Sequence, residues 1–451
     1  MKTAESTGGN PTGVVPRPAA PAGSTARAGL HGHFRDPLYR TGYFLMAGTA
    51  VTSLSGFAFW ALAAHTYSAE MVGLSSAAIS AMGLISGVCT LGLDAVLVRY
   101  LPTAGASARA LVLRAYALTA GLSLALAAAA AFTAGAWSPN LRFLGDEEGW
   151  LVGFALATAA WTLFGMQDNV LTGLRSAQWV PIENSLYSIL KLAVLVALGG
   201  ALPRSGTFLA WNAPVAFGVA LISALIFRRL IPRRSGARAV ALPRRRQLIA
   251  VAAGNYGGML CSLAGTLMLP VLVAAEADLR QAAFFYVPWM ITTVPRLIAV
   301  NMTTSLTVEA ALDERQLRHL SRRAFVQTSR LVLAFVAVCG IGAPWVLRVF
   351  GTEYAAAGAT LLRLLALAAV PNIVVCVAIA VARVRHDGRT VLAIQAAEGI
   401  LMLGLSAILL PAAGIDGVGT AWLVSQSVVA AALLATTLRP LLLPLRARAD
   451  R

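Results

Sequence analysis

Three cations and one carboxylate stand deep inside long apolar runs of this chain: Lys191, Arg296, Arg363 and Glu398. Asp94, Asp168 and Glu183 stand near the ends of such runs, and Asn169, Asn184, Asn212, Asn255, Asn301 and Gln395 add amides. A charge at the centre of a bilayer costs roughly 2.5–3.5 kcal/mol on insertion scales, so it faces a cavity or a partner. A guanidinium offers a planar fork of donors and an ammonium offers a point charge; both suit phosphate or pyrophosphate. Lys191, Arg296, Glu398, Arg363, Asn255, Asn212 and Asp168 are therefore the candidates for lining an aqueous substrate cavity. Buried ion pairs or snorkelling side chains would account for the same residues. By depth, Lys191 and Glu398 would make such a pair, and Asp94, Asp168 and Glu183 lie close enough to the interface to snorkel.

Chemistry of other kinds lacks its residues. The five His, at 31, 33, 65, 319 and 386, have no metal-ligand spacing. Cys89, Cys261, Cys339 and Cys376 fall one to a run and read as small apolar packers rather than disulfide partners. No glycine-rich phosphate loop of the Walker type is present, so ATP-driven work would need a partner. No cofactor, no metal and no enzymatic activity are expected.

These residues must be positioned by membrane helices. Of 451 residues, 58% are apolar and 12% charged, where a soluble domain has roughly 45–50% and 25%. That excludes a soluble enzyme, a disulfide scaffold and a largely disordered chain. A hydrocarbon core of about 30 Å takes about 20 helical residues. Segments of that kind lie at 43–66, 72–96, 109–136, 150–174, 181–202, 207–228, 248–274, 282–305, 325–348, 356–382, 389–411 and 416–437, twelve in all. Backbone groups in lipid must be satisfied within the segment, so these are helices. The fold class is thus an all-α polytopic membrane protein.

Charge placement orients it. The N-terminal side collects 29 of the 36 Lys and Arg, the opposite side has Arg142, Arg204, Arg280 and Arg348, and three cations lie within spans. By the positive-inside rule both termini are cytoplasmic, in a multi-pass protein of the cell (inner) membrane. The net charge of +17 then reflects topology, and nucleic acid is not a partner. The loops facing away from the cytoplasm, roughly 66–71, 137–149, 203–206, 275–281, 349–355 and 412–415, are too short for a catalytic domain.

The expected domains are a flexible cytoplasmic tail (1–37), a six-helix lobe (38–229), a basic linker (230–247), a second six-helix lobe (248–440) and a C-terminal tail (441–451). The halves repeat weakly. Ser53-Leu54-Ser55-Gly56 recurs as Ser262-Leu263-Ala264-Gly265, 209 residues on, and Gly206–Trp211 recurs as Gly417–Trp422, 211 residues on. An even number of helices per copy gives parallel repeats about an axis along the membrane normal. Pro214, Pro270, Pro288, Pro295 and Pro371 mark helix breaks or kinks. The nine Trp fall mostly near span ends, as an aromatic belt would, with Trp211 and Trp289 candidates for stacking on sugar.

Several stretches resemble the polysaccharide-transporter branch of the multidrug/oligosaccharidyl-lipid/polysaccharide (MOP) exporter superfamily. They are GFAFWALAAHTYSAEMVGLSSAAIS (56–80), LGLDAVLVRYLP (91–102), GMQDNVLTGLRSAQWVPIENSLYSILKL (165–192), VFGTEYAAAGATLLRLLALAAVPN (349–372) and GIDGVGTAWLVSQ (414–426). The resemblance spans roughly 40–440. It implies a V-shaped pair of lobes alternating access around a central cavity, and passage of lipid-linked oligosaccharide or polysaccharide precursors from the inner to the outer leaflet. It implies that basic cavity residues hold the pyrophosphate; Lys191 and Arg296 are the candidates by depth, not by motif. The lipid II flippases of the superfamily carry two further C-terminal helices, which favours an exopolysaccharide, capsule or other surface-glycan role here. The expected partners are the bilayer, a lipid-linked glycan, a coupling cation (Na+ or H+) and the glycosyltransferases or polymerase of the same pathway. A cation-coupled multidrug exporter of the same superfamily and a non-transporting scaffold in a polysaccharide assembly complex are the alternatives.

Overall fold

The computed structural model describes residues 37–232, 245–312, 317–385 and 387–436. Residues 47–451 form one compact unit; of the other unit, residues 1–46, only the start of the first helix is described. The twelve long helices are α1 (Pro37–Thr66), α2 (Ala69–Cys89), α3 (Ala108–Trp137), α4 (Glu148–Gly173), α5 (Trp179–Leu198), α6 (Gly206–Leu225), α7 (Arg245–Glu276), α8 (Leu279–Ile291, resuming as Thr293–Leu312), α9 (Leu317–Arg348), α10 (Thr352–Val384), and α11 and α12, which share Gly388–Ala435. That last run has 48 residues, but Gly414 (φ 61°, ψ −150°) divides it into 388–413 and 415–435. No strand occurs among the described residues. The face on which α2 ends is called the near face, and the opposite one the far face.

Local chemistry sets several boundaries. Ser68 caps α2 by accepting a hydrogen bond from the Met71 N–H (3.4 Å), and Asp278 caps α8 by accepting from Gln281 (2.8 Å). Asp387 caps α11: the Thr390 hydroxyl and backbone N–H donate to it, which holds its carboxyl below the usual carboxylate range. Other boundaries differ from the sequence expectation. The span at 72–96 ends early, because Leu91 (φ 51°) and Gly92 (φ 69°) turn left-handed and a separate helix, Leu93–Tyr100, follows. The span at 282–305 breaks at Thr292, four residues past Pro288 and three before Pro295. The loop at 137–149 holds two short helical turns, Pro139–Leu141 and Phe143–Asp146. The expected linker and both tails lie largely outside the described residues.

The helices pack as two sets, α2–α6 with one another and α7–α12 with one another. The sets meet along α2, which crosses both α7 and α8. The crossing is close because α2 is Gly-rich. A Cβ on Gly73 would sit 1.7 Å from the Leu279 carbonyl oxygen, and one on Gly92 would sit 2.4 Å from that of Ala252.

The apolar cores reveal the shape. One core, containing Phe59, Trp60, Phe285 and Phe350, spans both sets on the far half. On the near half each set has its own: Leu97, Val112, Leu171 and Ile226 in the first, Val332, Val377, Val381 and Leu433 in the second. The bundles thus share one core at the far half; at the near half their cores are separate, and the sets meet there along α2 and α7. Far-side contacts reinforce the junction: Phe57 of α1 meets Phe350 (ring centroids 4.9 Å apart), Trp60 meets Tyr286 (4.7 Å), and the Asn140 amide donates to the carbonyls of Ala274 (3.1 Å) and Ala277.

Candidate functional site

Two polar centres are buried, one in each helix set. In the first, α5 carries Lys191, only 3% exposed. Its Nζ stands 4.4 Å from the centroid of Trp211 on α6, 5.1 Å from Tyr187 one turn earlier on α5, and 5.6 Å from Phe59 on α1. Trp161 of α4 and Trp60 extend this aromatic wall, and Trp60 carries it to Tyr286 of the second set. The cage therefore lies against the junction of the two bundles. Among the described residues Lys191 makes no ion pair; the three ion pairs present are elsewhere. A desolvated cation–π contact is worth up to about 2 kcal/mol, so the rings offset part of the roughly 3 kcal/mol of burying the charge. They leave it without a counter-ion.

The second centre is a cavity of about 380 Å³ bounded by α7, α8, α10, α11 and α12. Arg296 and Arg383 line it with Glu398, Gln395, Gln426 and Asn372. Arg296 donates to the Thr266 hydroxyl (2.7 Å). A chain of donors converges on the carboxylate: the Cys376 thiol to Asn372 Oδ1 (3.5 Å), Asn372 to Gln426 Oε1 (3.0 Å), and Gln426 to Glu398 Oε1 (2.8 Å). Each amide spends its oxygen on one neighbour and its NH2 on the next, so one rotamer set is fixed along the chain. Trp422 closes one wall and stacks edge-on against Trp289 at 4.9 Å.

The remaining candidates are spread out. Asn212 is buried beside the first centre, where its NH2 donates to Phe208 O (2.9 Å) and its oxygen has no partner. Asp168 on α4 lies toward the near end, its Oδ2 3.5 Å from the Asn184 amide. Arg363 is exposed on α10 and donates to Gly340 O of α9 (3.0 Å), so it lines neither centre. The Asn255 side chain lies outside the described residues. Lys191 and Glu398, matched in depth, do not pair: Lys191 is held by rings and Glu398 by Gln426. Nor do Lys191 and Arg296 share one cavity wall.

Sequence reasoning missed two features. Trp60, Trp161 and Trp211 form an interior wall around Lys191, not a belt. The signal was available in their depth, since Trp161 stands in the middle of α4. The Gln426–Asn372–Cys376 chain was also missed, because it needs the crossing of α10 and α12. Hydroxyls such as Thr119, Thr158, Thr162 and Ser425 are satisfied by carbonyls one turn back and play no part in either centre.

No protein-family model matches the sequence, and no curated protein matches it. Solved structures do match in fold. The lipid II flippase MurJ in an inward closed conformation superposes with a TM-score of 0.72 at 13% identity, covering 88% of this chain and 87% of its own. An inward-facing multidrug-resistance MATE transporter of the MOP superfamily superposes at 0.69 and 16% identity, covering 86% and 94%. The MATE multidrug transporter DinF-BH, in a ligand complex, superposes at 0.61 and 14%, covering 94% and 100%. The fold is the one these MATE and MurJ transporters have. The expected polytopic all-α architecture is what the chain has. The identities show the fold alone; within it, Lys191 stands on α5 and Glu398 on α11.

Proposed function

We propose that this protein moves lipid-linked oligosaccharide or polysaccharide precursors from the cytoplasmic to the outer leaflet, by alternating access between its two bundles. Both termini then lie in the cytoplasm, the near face is cytoplasmic, and the separate near-half interiors mark the entry side. The observation that carries this reading is Lys191: an ammonium buried at the junction of the bundles, ringed by aromatics and without a counter-ion. A pyrophosphate is the ligand such a charge lacks, and the surrounding Trp and Tyr faces suit the apolar faces of sugars. Arg296, in the second centre, is a further phosphate ligand within reach of a multi-sugar headgroup. A sugar head cannot cross lipid unaided, since each unpaired hydroxyl is costly there.

Multidrug export by cation coupling is the second reading, favoured by Glu398 in its polar cavity and by the wealth of aromatic rings. The position of Lys191 weighs against it, because the aromatic cage that would attract a lipophilic cation already holds one. The test is a proteoliposome assay following transbilayer movement of a fluorescent polyprenyl-pyrophosphate oligosaccharide and, separately, of a cationic rhodamine dye. The flippase reading predicts movement of the glycolipid, lost in Lys191→Met. Movement of the dye alone would replace it with the drug-export reading.

A further inference from the structure

A groove of about 390 Å³ runs between α5 and α6 and shares Tyr187 with the wall of the first polar centre. Its upper part is apolar, walled by Leu186, Leu190, Pro214, Phe217 and Leu221, of which Leu186, Phe217 and Leu221 are exposed. Any bilayer lipid would lay a chain there. The near end is different. Glu183 lines it, 3% exposed, with both carboxylate oxygens buried and unpartnered. Arg228 and Arg229 line the same end, exposed, placed there by the π-helical turn Ile226–Leu230 that widens the last turn of α6. Neither arginine makes an ion pair with Glu183 or with any other described acid. Asp168, the nearest other acid, adds negative charge beside Glu183 rather than relieving it. Trp179, at the start of α5, completes the rim at the depth of lipid headgroups.

We infer that this groove is a binding site for an aminophospholipid of the near leaflet, with its phosphate on Arg228 and Arg229, its ammonium on Glu183 and one acyl chain along α5 and α6. The headgroup chemistry decides among lipids. A phosphate alone would satisfy the arginines and leave the buried carboxylate bare. A choline headgroup brings positive charge but no N–H, so the Glu183 oxygens would still lack donors. A primary ammonium supplies both charge and up to three donors beside the phosphate. The inference is independent of what the transporter carries, because Glu183, Arg228 and Arg229 take no part in either polar centre.

Native mass spectrometry of the full chain, released from nanodiscs of equimolar phosphatidylethanolamine, phosphatidylcholine and phosphatidylglycerol, tests it. The expected result is retained phosphatidylethanolamine, favoured roughly tenfold over either competitor, as a charge-assisted hydrogen bond to a buried acid would give. In Glu183→Gln the preference over phosphatidylglycerol should vanish. In Arg228→Gln/Arg229→Gln retention of both phosphatidylethanolamine and phosphatidylglycerol should fall. Equal retention of the three headgroups by the wild-type protein would overturn the inference, and that comparison needs no variant to fold. So would a preference that survives Glu183→Gln, or displacement of the bound lipid by polyprenyl phosphate, which has no ammonium.

Discussion

Lys191 and Glu398 stand 207 residues apart, close to the spacing of 209–211 that relates the repeated segments of the two halves. Their tryptophan neighbours, Trp211 and Trp422, are repeat partners at a spacing of 211. The two bundles thus carry opposite charge at their polar centres, an ammonium against rings in one and a carboxylate held by an amide chain in the other. For Lys191 a trade is expected. Lys191→Met should weaken binding of a polyprenyl pyrophosphate by about 10–100-fold, the range of one charge-assisted hydrogen bond. It should also raise the thermal unfolding temperature of the ligand-free protein, because it removes an unpaired buried charge. A binding titration and a melt on the same preparation check both; a drop in melting temperature would show that the cage alone stabilises the ammonium. For Glu398, the Gln426→Leu change removes the donor from Oε1 and should destabilise by about 1–3 kcal/mol, read by detergent melting. The intramembrane charges were legible in the sequence because so few exist among long apolar runs. Their partners were not, since ring and amide contacts come from helices 20 to over 100 residues away, as Trp211 and Phe59 do from Lys191.

α2 shows what helices contribute. It seats itself between the bundles through glycines rather than large side chains, so its fit depends on backbone approach. Gly73→Val should separate α2 from α8, since even a methyl would collide with the Leu279 carbonyl. A loss above about 3 kcal/mol is expected, the scale of an overpacked core site, seen as poor yield and a lowered melting temperature. Gly121→Ala, on α3 with nothing within 4 Å of the added methyl, should be silent and serves as the control. The long apolar helices were readable from apolar run length alone; among the described residues ten helices are long and apolar enough to cross a membrane, the last of them the run that Gly414 divides. Their interruptions at Leu91–Gly92 and Thr292 were not, because a helix buried on many sides has no polar face whose period would slip at a break. The prolines at 288 and 295 did mark the second of them.

At the scale of the molecule, one apolar core spans both sets on the far half, whereas on the near half each set has its own core and the two sets touch where the end of α2 meets α7. Three of the four far-side arginines are engaged, Arg142 with Asp146, Arg204 with Glu147 and Arg280 with Glu353, each at 2.7–2.8 Å. On the proposed function, the far face offers little free positive charge to retain a pyrophosphate, whereas Lys191 and Arg296 offer it within. Transport would require the far-side seam to part. Cysteines replacing Phe57 and Phe350, whose rings touch across it, should be bridged by a short bifunctional maleimide, and bridging should stop transport reversibly only when the linker is cleavable. Continued transport in the bridged protein would show that this seam does not move. The charge asymmetry between the two faces was plain in the sequence. The shape was not, because which cores merge depends on contacts between helices of different halves.

The decisive experiment for the role of Lys191 is equilibrium binding to purified protein in nanodiscs, comparing polyprenyl pyrophosphate, the uncharged polyprenol and a cationic rhodamine dye. The pyrophosphate should bind at least about tenfold more tightly than the polyprenol, the equivalent of one charge-assisted contact. Lys191→Met should abolish this difference, and Lys191→Arg should retain part of it. Equal affinity for the two lipids, or tighter binding of the cationic dye that improves when Lys191 is neutralised, would contradict it.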